Sequence, residues 1–266
     1  MERTYKCVRH HLMGLILLAG ITVGQSCSVK EDRTQCPCLL TLDFNCPDIS
    51  EARFVGLLIT SYGETLWNDT VDVFSGGDGY VVSVPQTDLH IRAWTGTDGL
   101  DTEAGLVISL GEDCPEVYMH DSDIRTSGEY AYETVILRKN HCVLTLTSQG
   151  DVTMSADMRL KGNVSGYDAH GRPLCGEFEF PLSDGGMTDE YRAVLPRQTD
   201  DSLILEIDDG NGNYKAFALG HYIVSSGYDW SSPDLDDISV TLDYALTELK
   251  FVINGWESVY KYDIEI

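Results

Sequence analysis

Seven thiols bound the chemistry this chain could do, because from residue 27 onward cysteine stands at Cys27, Cys36, Cys38, Cys46, Cys114, Cys142 and Cys175. The first is placed unlike the rest. Arg3, Lys6 and Arg9 open the chain with positive charge, Leu12 to Val23 is an apolar run broken only by Gly and Thr, and Gly24-Gln25-Ser26 lead with small residues into Cys27. The run is too short for a bilayer, which takes about 20 apolar residues. It fits the apolar core of an export signal cleaved beside small residues. Export would put the remaining thiols where disulfides persist. An odd number leaves one thiol reactive, whereas a lipid thioether on Cys27 leaves Cys36, Cys38, Cys46, Cys114, Cys142 and Cys175 as disulfide candidates that could all pair.

Gly24-Gln25-Ser26-Cys27 resembles the bacterial lipobox, whose cysteine takes a diacylglyceryl group and becomes the first residue of the mature protein, although Gly24 stands where that motif usually has Leu. Plain cleavage at the small residues would instead leave Cys27 a free thiol. The acyl chains would bury roughly thirty methylenes at about 0.8 kcal/mol each, so attachment to membrane lipid would be effectively permanent. Ser28-Val29-Lys30-Glu31-Asp32 reads as a charged tether, and it also resembles the Lys-plus-acidic tag of Bacteroidetes surface lipoproteins.

Other constellations point to less. Cys36-Pro37-Cys38 has one residue between its thiols where a thioredoxin-type pair has two, leaving soft-metal binding and disulfides to more distant cysteines open. Asp209, Asn211 and Asn213 start like a calcium loop, but Tyr214 stands where Gly is needed and Gly220 where a bidentate Glu is needed. His90, His120, His141, His170 and His221 are widely spaced with no ligand-like pair, so no metal and no cofactor is expected. The nucleophile elbow, the zinc-protease helix motif, the phosphate loop and the dinucleotide glycine fingerprint are all missing from the sequence, which argues against an enzyme. Of Trp67, Trp94, Trp230 and Trp256, Trp230 lies in the turn-rich stretch Gly227-Tyr228-Asp229-Trp230-Ser231-Ser232-Pro233, the best candidate for an exposed aromatic contact with a glycan.

The elements that must carry these residues are strands. Past Cys36, short β-branched and aromatic runs alternate with Gly, Asp, Asn and Pro. In the first run Leu40, Leu42 and Phe44 share one face and Leu39, Thr41 and Asp43 the other. Further runs predict strands over 53–61, 70–74, 80–84, 89–94, 106–110, 116–119 and 132–137. Arg138-Lys139-Asn140-His141 then reads as a polar hinge. A second set follows at 142–147, 154–162, 177–180, 191–195, 202–207, 215–219, 238–242, 249–253 and 260–266. Its clearest hairpin joins Leu203–Ile207 to Tyr214–Leu219 through Asp208-Asp209-Gly210-Asn211-Gly212-Asn213. Helix is expected at most briefly, over 219–224. The expectation is all-β: a signal peptide over 1–26, a tether over 27–35, an N-terminal β-sandwich domain over 36–140 and a C-terminal one over 141–266.

Charge narrows the partners. The formal net charge is −25 at pH 7, and removing the signal segment makes it more negative still. Phosphate backbones are bound by clustered Lys and Arg, so nucleic acid is excluded as a partner.

Taken in order, several stretches resemble the Bacteroidetes FimB/Mfa2 fimbrial anchor family. They are Cys27 to Arg33, Cys36-Pro37-Cys38, His90-Ile91-Arg92-Ala93-Trp94-Thr95-Gly96, Val135 to Asn140 with Cys142-Val143-Leu144-Thr145-Leu146, and Phe251-Val252-Ile253-Asn254-Gly255-Trp256. The resemblance implies two transthyretin-like β-sandwiches, a lipid on Cys27, and a surface-exposed place on the cell outer membrane. It implies a fimbrial stalk subunit as partner, joined by β-strand exchange. The last run, 260–266, could be an exchanged strand or an ordinary final strand. A surface lipoprotein that binds glycans is the rival expectation.

Overall fold

The computed structural model describes residues 36–45, 53–73, 79–97, 105–149, 157–182, 190–208, 214–243, 248–253 and 256–261. Cys27, the signal segment, the tether up to residue 35, Cys46 and Asp209 to Asn213 lie outside the described residues. Among the described residues the expected strands form, with edges shifted by a few residues, while the expected last run over 260–266 lies outside the described residues beyond 261. Alternation in the first run holds: Leu40 and Leu42 are fully buried while Leu39 and Asp43 face outward.

The first half contains β1 (Pro37–Asn45), β2 (Phe54–Ser61), β3 (Glu64–Asp72), β4 (Tyr80–Pro85), β5 (Asp88–Thr95), β6 (Leu106–Val107), β7 (Tyr118–Arg125) and β8 (Tyr130–Ile136). β1 lies between an antiparallel β4 and a parallel β8, and a second sheet runs β3-β2-β5-β7 and ends on β9 (Arg138–Lys139). The second half brings β10 (His141–Gln149), β11 (Asp157–Tyr167), β12 (Pro173–Leu182), β13 (Glu190–Pro196), β14 (Ile204–Asp208), β15 (Tyr214–Phe217), the short helix α1 (Leu219–Ser225) and β16 (Ile238–Asp243). Here β10 lies between an antiparallel β13 and a parallel β16, and the facing sheet runs β12-β11-β14-β15. Setting β6 aside, the two halves repeat one seven-stranded plan. β17 (Glu248–Ile253) and β18 (Trp256–Lys261) then extend the sheet beyond β16.

The parallel pairs β1 with β8 and β10 with β16 are not visible in strand alternation. Parallel neighbours need a long connection, and in each half the intervening strands supply it.

Two apolar clusters form. One gathers Leu40, Leu42, Val55, Leu57, Ile59 and Ile91 from the first half. The other gathers Leu144, Leu160, Leu205, Ile207 and Ile238, and it also takes in Leu58, Trp94, Leu106, Ile108, Cys114 and Met119. Strands therefore change sets near residue 140, but the cores do not. Residues 105–117 are strapped to the second half through β6 against β11 and through Ile108 N–H to Ser165 O at 2.8 Å and Gly111 N–H to Glu179 O at 2.7 Å.

The stretch expected to be a hinge is a clamped joint. Lys139 N–H donates to Asp234 Oδ1 at 2.9 Å, Arg138 pairs with Asp234 at 2.7 Å and Lys139 with Asp237 at 2.6 Å. His141 is buried, with Nδ1 3.1 Å from Val117 O and its ring edge-on to Tyr118. Burial lowers its pKa and keeps the ring neutral. That stability is present above the unfolded imidazole value, about 6.5, and is lost as pH falls through the lower folded value. Thermal melts of the protein should therefore fall as pH drops below about 6.5, and less so in His141→Gln. Parallel profiles for the two proteins would remove His141 from this account.

Candidate functional site

Edges decide what a sheet can recruit, because an edge strand carries unpaired N–H and C=O groups. Among the described residues β8 has a ladder partner on one side, β1. Its equivalent in the second half, β16, is paired on that outer side by β17, antiparallel, from Ile238 opposite Ile253 to Asp243 opposite Glu248. The same position in the repeated plan is filled in one half and unfilled by any described strand in the other. Beside the open β8 edge, Tyr130 and Tyr132 are 64% and 76% exposed on the outer face. They stand opposite Leu39 and Thr41 of β1, which face Ser83 and Val81 of β4. Leu39 and Val81 are exposed too, so this sheet presents an aromatic and aliphatic outer face next to an edge that no described strand covers.

A second feature lies on the outer face of β5 and β7. Leu89 and Ile91 point into the first core, so His90 and Arg92 point the other way, and on β7 Asp123 and Asp121 stand in register with them. The turn between β11 and β12 reaches over this face and carries His170. Asp168 builds that turn, accepting the N–H groups of His170 and Arg172 at 2.8 and 3.0 Å and the Arg172 Nε–H at 2.8 Å. Burial works to raise the Asp168 carboxyl, but these hydrogen bonds outweigh it and hold the carboxyl below its ordinary value. The result places His90, Asp121 and His170 around one pocket, which overturns the expectation that no two histidines meet. These groups lie far apart in sequence, and the Asp121-Ser122-Asp123 and His90-Ile91-Arg92 alternations were the legible part of the signal.

The remaining expected residues fall elsewhere. Among the described residues Cys36, Cys38, Cys114, Cys142 and Cys175 are free thiols, so the expected disulfides do not form there. Cys38 belongs to one core, Cys114 and Cys142 to the other, and Cys36 and Cys175 are exposed. Burial pushes the Cys142 thiol up to about 12 and the Cys114 thiol higher still, so neither is a nucleophile near neutral pH.

Trp230 is not an exposed contact: it is 7% exposed, packed in the second core and edge-on to Tyr228 at 4.7 Å. The cause is Arg197. Its Nη1 donates to the carbonyls of Trp230 and Ser232, both at 2.6 Å, and draws the Gly-, Ser- and Pro-rich stretch onto the core. Trp94 is also buried, against Gly56.

No helix among the described residues is long and apolar enough to cross a membrane. No family model matches the sequence, and no curated protein matches it either. Solved structures do match in fold. The chain has the all-β sandwich fold found in fimbrial and adhesin proteins of Bacteroidetes. One is a protein of Bacteroides thetaiotaomicron described as polysaccharide-binding, similar at TM-score 0.62 and 16% identity over 86% of this chain and 99% of that one. A second is an adhesin-class protein of Bacteroides ovatus, at TM-score 0.59 and 12% identity over 88% and 97%. The fimbrial anchor protein Mfa2 of Porphyromonas gingivalis is similar at TM-score 0.60 and 13% identity over 85% of this chain and 100% of that one.

Proposed function

We propose that this protein is an outer-membrane lipoprotein that acts as an anchor or minor subunit of a fimbrium, held to the bilayer by a lipid on Cys27. The observation that carries the reading is the fold shared along the full length of the Mfa2 anchor. An export signal that ends at Cys27 supports the membrane half of it.

The stalk subunit joins by adding a strand to the β8 edge. The repeated plan supports this choice, because β17 already occupies the same edge of β16. An added strand would pair the open backbone groups, and its alternate side chains would cover Tyr130, Tyr132 and Leu39. Load then passes through a ladder of backbone hydrogen bonds into β1, a central strand whose Leu40 and Leu42 are locked in the core. The work is mechanical rather than catalytic. A glycan-binding role has lost its designated contact, since Trp230 is in the core.

Cys27→Ala tests the anchor. The native protein should sediment almost entirely with outer membranes and carry acyl label, and the variant should be released to the soluble fraction. Unchanged sedimentation of Cys27→Ala would contradict the lipid assignment.

A further inference from the structure

We propose that His90, His170 and Asp121 bind a divalent transition-metal ion, with Zn²⁺ as the first candidate. The inference does not depend on the fimbrial reading. Its basis is a buried imidazole nitrogen that makes no hydrogen bond. Asp123 Oδ1 lies 2.9 Å from His90 Nδ1. A carboxylate only accepts, so in this contact Nδ1 carries the proton. Nε2 of the same ring then offers a lone pair. It is buried, makes no hydrogen bond and stands 3.2 Å from Asp121 Oδ1, which is also an acceptor. The other oxygen of Asp121 is 3.6 Å from His170 Nδ1. Three electron-pair donors converge, and a cation among them satisfies all three.

The donors suit such an ion. Two imidazole nitrogens and one carboxylate are the ligands Zn²⁺ and its neighbours in the first transition row prefer. The three ligand atoms lie within 4.8 Å of one another. Donors about 2.0–2.1 Å from a tetrahedral ion stand about 3.3 Å apart, so a small closing movement of the turn that bears His170 completes the set. Asp123 already does what a supporting carboxylate does in metal sites: it fixes the tautomer and direction of a ligating histidine.

Arg172 and Arg125, the nearby cations toward solvent, are engaged elsewhere. Asp168 holds Arg172 at 2.8 Å, and Asp88 lies 3.6 Å from Arg125. Arg92, deeper in the sheet, shares its charge between Asp121 and Asp168.

The site spans the two halves. His90 and Asp121 sit on β5 and β7, whereas His170 comes from the turn between β11 and β12. A bound ion is therefore a staple across the joint, with water in the remaining coordination position.

The test is calorimetric titration of the untagged full-length protein with ZnCl₂, paired with thermal melts with and without the metal. In the native protein Zn²⁺ should raise the melting temperature and EDTA should reverse the gain. His170 is half exposed at a turn, so His170→Ala should melt normally without metal, yet lose this Zn²⁺ equivalent and the thermal gain. Asp123→Asn should weaken binding about tenfold through the orientation of His90. His221→Ala, at an exposed histidine beside Asp201, should change nothing. If His170→Ala binds Zn²⁺ as the native protein does, or if Zn²⁺ leaves the native melt unmoved, the proposal is overturned. The three groups are then an ordinary imidazolium–carboxylate network.

Discussion

Gly166→Ala should be among the most destabilising single-methyl changes in the chain, costing more than about 4 kcal/mol, the range reserved for a backbone forced apart. Gly166 has φ +146°, a region side chains rarely adopt, and it pairs with Val107 where β6 crosses onto β11. A Cβ there would run into the carbonyl oxygen of Leu106 and stand 2.9 Å from its carbon. Neither atom can swing away, because both are backbone. Gly105 meets the carbonyl of Tyr167 in the same way, so the two segments touch glycine to peptide in both directions. Separating them pulls Leu106 and Ile108 out of the second core. At roughly 2–4 °C per kcal/mol for a chain of this size, the melting temperature should drop by at least ~8 °C. Gly111→Ala is the control: φ is +86° but nothing lies within 4 Å of the added methyl, so only the backbone cost of about 1 kcal/mol is expected. Equal losses in the two variants would contradict the close-approach account.

Arg197→Ala should cost about 3 kcal/mol, from the loss of several hydrogen bonds to a charged donor. The guanidinium gathers Trp230 O and Ser232 O at 2.6 Å, Asn140 Oδ1 at 3.0 Å and Pro233 O at 3.2 Å. Burial disfavours the charge, and the carboxylates of Asp234 and Asp229 offset part of that cost. The Arg197 N–H also donates to Tyr167 Oη at 2.7 Å, and that hydroxyl donates to Asn140 O. One side chain thus ties the joint at 139–140 to the loop that buries Trp230. Arg197→Lys should recover little, because a single ammonium cannot span a fork of diverging carbonyls. The readout is a denaturant melt followed by tryptophan fluorescence, in which Arg197→Ala should show Trp230 more exposed in the native baseline. A loss below about 0.5 kcal/mol, the size of an ordinary surface change, would show that the loop holds itself.

What the sequence made legible follows from which signals are local. Strand alternation is local, and Leu40 and Leu42 in β1 or Leu205 and Ile207 in β14 fell where period two puts them. The β14–β15 hairpin is local as well, and pairs from Leu205 opposite Phe217 to Asp208 opposite Tyr214. The short helix was found within a residue of its end.

Five things were not local. The parallel partner of β1 is β8, with the rest of the first half between them. The strap at 105–117 reads as ordinary strand and loop, yet it packs into a core most of whose members lie downstream of residue 140. Trp230 sits among turn residues that signal exposure, and only the carbonyl-gathering reach of Arg197 reverses that. The histidine cluster failed for the same reason, since His90 and His170 meet through a turn laid across a sheet. Glycine spacing gave no hint of the backbone contact between Gly166 and Leu106, because a close approach is a property of two segments.

The measurement that bears most directly on the account is deletion of the gene, with shafts then counted on cells and in the medium by electron microscopy. A membrane-held joint at the base of a fimbrium predicts shafts released into the medium and few left on cells, reversed by the native gene and not by Cys27→Ala. Shafts that stay attached at normal length and number in the deletion strain would contradict it.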